Sequence, residues 1–294
     1  MSDPAFSDMD EIIDVQREFL VDELIYEGND SSLRIPEGTK FKLKTPSLNP
    51  FKLECVVVCD KYSDFLARTL PTNKFLFDQL VVVTSYEDIE TQRVCEFYHV
   101  KCVKTDDLNS RKREFHKGKG INAGIRELNN DGWVVHLDAD MVLPPQTRII
   151  IETAKLDPHM IYGIDRFIVK GFHEWDEFLS MPKLQHENDS WLHPNAFPIG
   201  HRVMYSFVGG YLPIGFFQMW CPKVSGVKKY PESHTNAGRG DSVFAQQWPR
   251  PLRAMIPELI GYHLESVDSV MSSNWDGRTT KTFAINPKSP NRLP

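Results

Sequence analysis

The chain lacks any apolar run approaching the roughly 18 residues that a membrane-spanning helix needs. Cysteine is scarce and odd in number: Cys55, Cys59, Cys95, Cys102 and Cys221, with no pair spaced C-x-x-C. That pattern argues against a disulfide framework or a cysteine zinc site and predicts reduced core thiols, as in a cytosolic protein. No G-x-G-x-x-G follows the first apolar strand, and no Walker lysine loop occurs, so a nicotinamide, flavin or P-loop enzyme is not expected. The opening Met1-Ser2-Asp3-Pro4 leads into an acidic segment with neither a basic n-region nor an apolar h-region. Neither a signal peptide nor an amino-terminal Golgi anchor is expected from it.

What is present describes a globular chain. Of 294 residues, 41% are hydrophobic and 25% charged, enough to bury a real core in one large domain. The net charge of −6 is uneven. Residues 1–30 carry ten acids and one base, Arg17, which leaves the remainder at +3. A mildly basic body does not exclude an anionic substrate.

The chain divides into an acidic extension over 1–50, a main domain over 51–273 and an irregular tail over 274–294. Met9, Ile12, Ile13, Leu20 and Leu24 recur at near-helical spacing and predict an amphipathic helix over 8–26. Continuous apolar runs at Leu53 to Cys59 and Leu80 to Thr84 predict parallel strands covered on both faces. A helix broken by Pro71 is expected between them, then a helix near Thr91 to Tyr98 and strands at Val100 to Val103 and Trp133 to Leu137. Ile121, Ile125 and Leu128 mark one more helical face. Such alternation indicates an α/β sheet with right-handed crossovers. Ile161 to Val169, Val203 to Phe207 and Gly215 to Trp220 read as further strands, in a mixed second half with long loops such as His186 to Pro198.

The sharpest motif is Trp133-Val134-Val135-His136-Leu137-Asp138-Ala139-Asp140. Two carboxylates at i and i+2 close an apolar strand, at the end where open α/β sheets bind ligands. Like charges held there need a cation or a donor network. Mg²⁺ or Mn²⁺, taking oxygen ligands, suits them, as would a plain strand-ending turn with no metal. Asp138-Ala139-Asp140-Met141-Val142 also fits the D-x-D-x-[TV] of haloacid dehalogenase-like phosphatases. That motif normally opens its domain, whereas three strands precede it here, and no later G-D-x-x-x-D follows.

In order along the chain, Val58-Cys59-Asp60, Thr84-Ser85-Tyr86-Glu87-Asp88-Ile89-Glu90-Thr91, Lys117-Gly118-Lys119-Gly120-Ile121-Asn122-Ala123-Gly124-Ile125 and the Asp-Ala-Asp strand form a series. Tyr230-Pro231-Glu232, then Gly238-Arg239-Gly240-Asp241-Ser242-Val243-Phe244, and Gly261-Tyr262-His263-Leu264 continue it. Over about residues 53–265 the series resembles a GT-A glycosyltransferase of the family-2-like, inverting kind, similar to phage and bacterial members. The resemblance implies a mixed, mainly parallel sheet flanked by helices. It implies a nucleotide-sugar donor, a UDP-sugar first, contacted by Cys59, Asp60, Thr84, Asp88, Lys119, Asn122, Asp138, Ala139 and Asp140. It implies Mn²⁺ or Mg²⁺ held by Asp138, Asp140 and His263, with Asp241 as the base that deprotonates the acceptor hydroxyl. Here the family's usual paired acids are reduced to one, between Gly240 and Ser242.

The acceptor is less legible. A basic stretch with Lys101, Arg111, Lys112, Arg113, Lys117 and Lys119 suits either the donor phosphates or a polyanion groove. A hydroxymethylated DNA base and a glycan both remain open as acceptors, in the cytoplasm of a bacterial or virus-infected cell. A sugar-phosphate nucleotidyltransferase and a non-catalytic nucleotide-sugar-binding module are the competing readings.

Overall fold

The computed structural model describes residues 16–20, 40–44, 51–108, 115–180, 201–203, 211–226, 229–234 and 239–265. The expected loop at His186 to Pro198, the cations Arg111, Lys112 and Arg113, and the tail over 274–294 lie outside these residues.

Two strands, β1 (Gln16–Leu20) and β2 (Lys40–Lys44), pair antiparallel as a separate two-stranded sheet. The helix expected over 8–26 is therefore corrected: Gln16–Leu20 is extended. A register that sets Phe19 opposite Phe41 and Glu18 opposite Lys42 supplies a long-range partner that periodicity within one segment does not show.

The main sheet starts as a β/α alternation. β3 (Leu53–Val58), α1 (Ser63–Asn73), β4 (Gln79–Thr84), α2 (Ile89–Phe97), β5 (Lys101–Lys104), α3 (Lys117–Ile125) and β6 (Trp133–Asp138) follow in turn. Strand order is β5-β4-β3-β6, all parallel. The apolar runs have the composition of strands covered on both sides. Cys55 and Val57 face the core under α1 and α2, whereas Val56 and Val58 face the core under α3, and each is buried.

Pro71 does not break α1, which runs through it to Asn73. Proline removes the amide that would bond the Ala67 carbonyl four residues earlier. The Tyr98 hydroxyl, arriving from the end of α2, donates to that carbonyl at 3.3 Å.

The second half adds β7 (Met141–Val142), α4 (Thr147–Thr153), β8 (Ile161–Lys170), α5 (Gly171–Ser180), β9 (His201–Val203), β10 (Phe217–Trp220), α6 (Pro222–Ser225), α7 (Gly240–Ala245) and β11 (Arg253–Glu265). β10 runs antiparallel between β6 and β8, β11 lies parallel to β8, β7 closes that edge antiparallel to β11, and β9 pairs antiparallel with β8 off the main path. Among the described residues, six of the nine strands thus point one way, in the mixed, mainly parallel sheet flanked by helices that GT-A resemblance implies. The strand expected at Val203 to Phe207 overlaps β9 at Val203 alone among the described residues. No helix among the described residues is long and apolar enough to cross a membrane.

Candidate active site

The crossovers bring the chemistry to one edge of the sheet, above the carboxyl ends of β3, β4 and β6. Asp138 is the last residue of β6, and Asp140 follows across a tight turn. α1 holds that turn in place. The Thr69 hydroxyl donates to the Ala139 carbonyl at 2.8 Å, the Asn73 amide donates to the Met141 carbonyl at 2.7 Å, and the Leu143 amide donates back to Asn73 Oδ1 at 2.9 Å. Ala139 thus contributes its backbone to the architecture of the turn.

The two acids have different partners. Lys117 Nζ lies 2.5 Å from Asp138 Oδ1, and buried His136 Nε2 lies 3.6 Å from the same oxygen. Burial is the chief influence on Asp138 and pushes its pKa up; Lys117 opposes the rise and Asp140 adds to it. Asp140 Oδ2 lies 3.2 Å from His263 Nε2, while His263 Nδ1 lies 3.3 Å from Glu265 Oε1. Burial alone would lower the His263 pKa, but the Asp140 carboxylate outweighs it and the net shift is upward. Among the described residues, no group of three or more His, Cys, Asp or Glu side chains is drawn together as a metal cage. Asp140 and His263 meet; Asp138 is engaged by Lys117.

The expected donor-contacting residues divide into two sets. Asp60, Thr84 and Asp88 join the loops after β3 and β4. Ser85 Oγ donates to Asp60 Oδ1 at 2.5 Å, and the Lys61 amide and Thr84 hydroxyl donate to Asp88 Oδ2 at 2.5 and 3.2 Å. The other Asp88 oxygen caps α2 by accepting from the Thr91 amide at 3.1 Å. Cys59 is buried beside Thr91 Oγ1 at 3.4 Å, and burial raises its thiol pKa well above the usual range. Its side chain belongs to the core, leaving its backbone at the edge.

The α3 segment departs from expectation. Asn122 is buried and acts as a clamp: its Nδ2 donates to the Tyr230 carbonyl and to Glu232 Oε1, both at 2.8 Å, and its Oδ1 accepts from the Tyr230 amide at 2.7 Å. Two glycines of α3 meet neighbouring chain closely. A side chain at Gly118 would run into the Pro231 carbonyl, and one at Gly124 would come within 2.5 Å of Val56 Cγ1. Bare backbone there lets α3 sit close on the sheet and on the 230–232 segment. Lys119 is half-buried and acts electrostatically on Glu232. Lys117 is the lysine that reaches the acid pair.

Asp241 lies in the first turn of α7, with Gly215 N donating to Oδ2 and Ser242 N donating to Oδ1, each at 2.7 Å. A Cβ on Gly215 would stand 2.9 Å from both Asp241 Cβ and Oδ2, so glycine is what admits this carboxylate. Sequence reasoning missed Thr69, Asn73, Gly215 and Glu265, and it placed Lys117 in a basic stretch near the donor phosphates without its contact to Asp138. For Lys117 a signal existed: two residues along a helix is a rotation of about 200°, so only one of Lys117 and Lys119 can face the β6 end.

The sequence profile of glycosyl transferase family 2 matches residues 55–208. No curated protein matches. The fold is similar to crystal structures of glucosyl-3-phosphoglycerate synthase from Mycobacterium tuberculosis. One, at 12% identity and a TM-score of 0.43, covers 77% of this chain and 75% of that one. Another, in complex with Mn²⁺, uridine diphosphate and phosphoglyceric acid, is 11% identical with a TM-score of 0.42, over 74% of this chain and 72% of the other. The family profile spans more than half of the sequence, and the chain belongs to glycosyl transferase family 2.

Proposed function

We propose that the protein transfers a sugar from a nucleoside-diphosphate sugar, a UDP-sugar first, to an acceptor hydroxyl with inversion at the anomeric carbon. One observation carries the reading: Asp138 and Asp140 stand at the carboxyl end of β6, Lys117 on the first and His263 on the second, with Glu265 behind the histidine.

The residues fit Mn²⁺ or Mg²⁺. Asp138 and Asp140 offer hard carboxylate oxygens, and His263 offers Nε2 with Glu265 behind its other nitrogen, an arrangement that orients ligating histidines. A bound divalent ion would neutralise the donor diphosphate and the charge that builds on it as it leaves. Lys117, once freed from Asp138, is in place to take a diphosphate oxygen. Asp60 and Asp88, fixed by Ser85, Thr84 and the Lys61 amide, shape the floor where a nucleoside would lie. Asp241 accepts the proton of the acceptor hydroxyl as that oxygen bonds the anomeric carbon. The bond from that carbon to the diphosphate breaks, and its electron pair leaves with the diphosphate.

The acceptor is a hydroxyl on a glycan or on a hydroxymethylated DNA base. A polyanion groove draws less support, because Lys101 is paired with Glu127 at 2.7 Å and Lys117 with Asp138. Free cysteines throughout the chain support a reducing cytoplasm. One observation favours a second reading, a nucleotide-sugar-binding module without catalysis: both Asp241 oxygens already accept backbone amides.

Incubation with a panel of nucleotide sugars and Mn²⁺ separates the two. Slow donor hydrolysis that Asp140→Asn abolishes supports transfer. Tight UDP binding with no turnover supports the binding module.

A further inference from the structure

Gln218 has no role in the reading above, yet it is completely buried in the middle of β10. A buried amide is costly unless all its groups are bonded, and here they are. Its Nε2 donates to the Pro213 carbonyl and to the Asp241 carbonyl, each at 2.9 Å. Its Oε1 accepts from the Tyr230 hydroxyl at 2.9 Å. Directly across the β6–β10 ladder stands His136, two residues before Asp138.

The bonds continue in both directions. The Tyr230 carbonyl accepts from, and its amide donates to, the Asn122 side chain of α3, and the first residue of α3 is Lys117, which holds Asp138. The Tyr230 ring stacks on Phe244 of α7 at 4.4 Å and meets the His136 ring edge-on at 5.6 Å. Gln218 is therefore the junction between the helix carrying Asp241 and the strand and helix that present the acid pair. Packing alone would be satisfied by a leucine or methionine of similar volume. A glutamine whose two N–H groups are both spent on main-chain carbonyls, one of them that of Asp241, fixes distance and direction as well.

We propose that Gln218 is a positioning residue for transfer, setting Asp241 against the donor site through the buried Asp241–Gln218–Tyr230–Asn122 chain. This rests on the reading of Asp241 as the base. Reactions of this kind lose about a hundredfold for roughly 1 Å of misplacement, so small shifts of α7 are costly.

The test uses the full chain, Mn²⁺ and UDP-glucose, with water as the acceptor, followed as UDP release. Gln218→Met lowers kcat by roughly ten- to a hundredfold, while KM for UDP-glucose and the affinity for UDP stay within about twofold. Tyr230→Phe keeps the ring that packs on Phe244, so its fold is retained, and it lowers kcat in the same direction by less. In an Asp241→Asn background, Gln218→Met has no further effect, because its action passes through Asp241. Equal losses from Gln218→Met in both backgrounds, or unchanged kcat in Gln218→Met and Tyr230→Phe, overturn the proposal while leaving the donor assignment standing. Wild-type protein that neither binds UDP nor hydrolyses UDP-glucose overturns the underlying reading, and this inference with it.

Discussion

Lys117 and Asp138 form the contact on which the site turns at the scale of single residues. A half-buried ammonium on a carboxylate is a charge-assisted bond, and its partner can be exchanged for a phosphate oxygen without leaving either charge exposed to an apolar wall. Lys117→Met therefore raises KM for the nucleotide sugar by about tenfold or more, in steady-state kinetics with saturating Mn²⁺. Lys119→Met, which removes a charge facing Glu232, leaves that KM within about twofold. Acid spacing at a strand end marks Asp138 and Asp140 in the sequence by itself, whereas His263 is singled out only through the family resemblance; the structure sets its Nε2 3.2 Å from Asp140 Oδ2. Thr69 and Asn73 were not legible: each bonds main chain about 70 residues on, and no local pattern announces it. Glu265 lies only two residues from the histidine it bonds, but a lone acid at that spacing carries no signal of its own. Asn122 was legible as a motif position, but its use was not. A buried amide is equally suited to a ligand or to a main-chain clamp, and only the neighbouring Tyr230 decides.

Between elements, the β/α half was readable because each strand is covered twice and each helix supplies one apolar stripe. Pro71 misleads, since proline in the last turn of α1 costs a single amide, and Tyr98 from another helix restores the lost bond. The helix expected over 8–26 gave way to β1 for the same kind of reason, a partner distant in sequence. β11, the longest strand, was hidden by Pro257, Gly261 and the register shift between Met255 and Ile260. Packing of α3 gives a direct check at this scale. Gly124→Ala places a methyl 2.5 Å from Val56 Cγ1 and 3.0 Å from Val83 Cγ2, so strand and helix must part. The cost is about 1–3 kcal/mol, read as a lower midpoint in urea unfolding with an unchanged slope. A Val56→Ala background, which removes the methyls that the new Cβ meets, shrinks that cost if overpacking is the cause.

Across the whole molecule, the central sheet divides the apolar residues into two cores, and its stability depends on charges at its rim as well as on burial. Asp78 accepts from the Leu53 amide at 2.8 Å and pairs with Arg148 at 3.1 Å. Burial works to raise its pKa, but the amide and the guanidinium outweigh it and the pKa falls below the ordinary carboxylate value. A depressed folded-state pKa contributes stability above about pH 4 that is lost as pH falls through the lower folded value. The Tm difference between wild type and Asp78→Asn is therefore present near neutrality and closes below about pH 4. Cys55, Cys59, Cys95 and Cys221 are buried, and burial raises the Cys55, Cys59 and Cys221 thiols. Thiol labelling at these four sites follows global unfolding, whereas half-buried Cys102 reacts in the folded protein.

The central claim is that Asp138 and Asp140 hold a divalent cation against the diphosphate of the donor. Anomalous diffraction at the manganese edge, from crystals grown with Mn²⁺ and UDP, tests it most directly. The expected result is a manganese peak beside Asp138, Asp140 and His263 and next to the diphosphate, with Lys117 moved from Asp138 to a phosphate oxygen. Bound UDP with no manganese beside Asp140, and Lys117 still on Asp138, would contradict it.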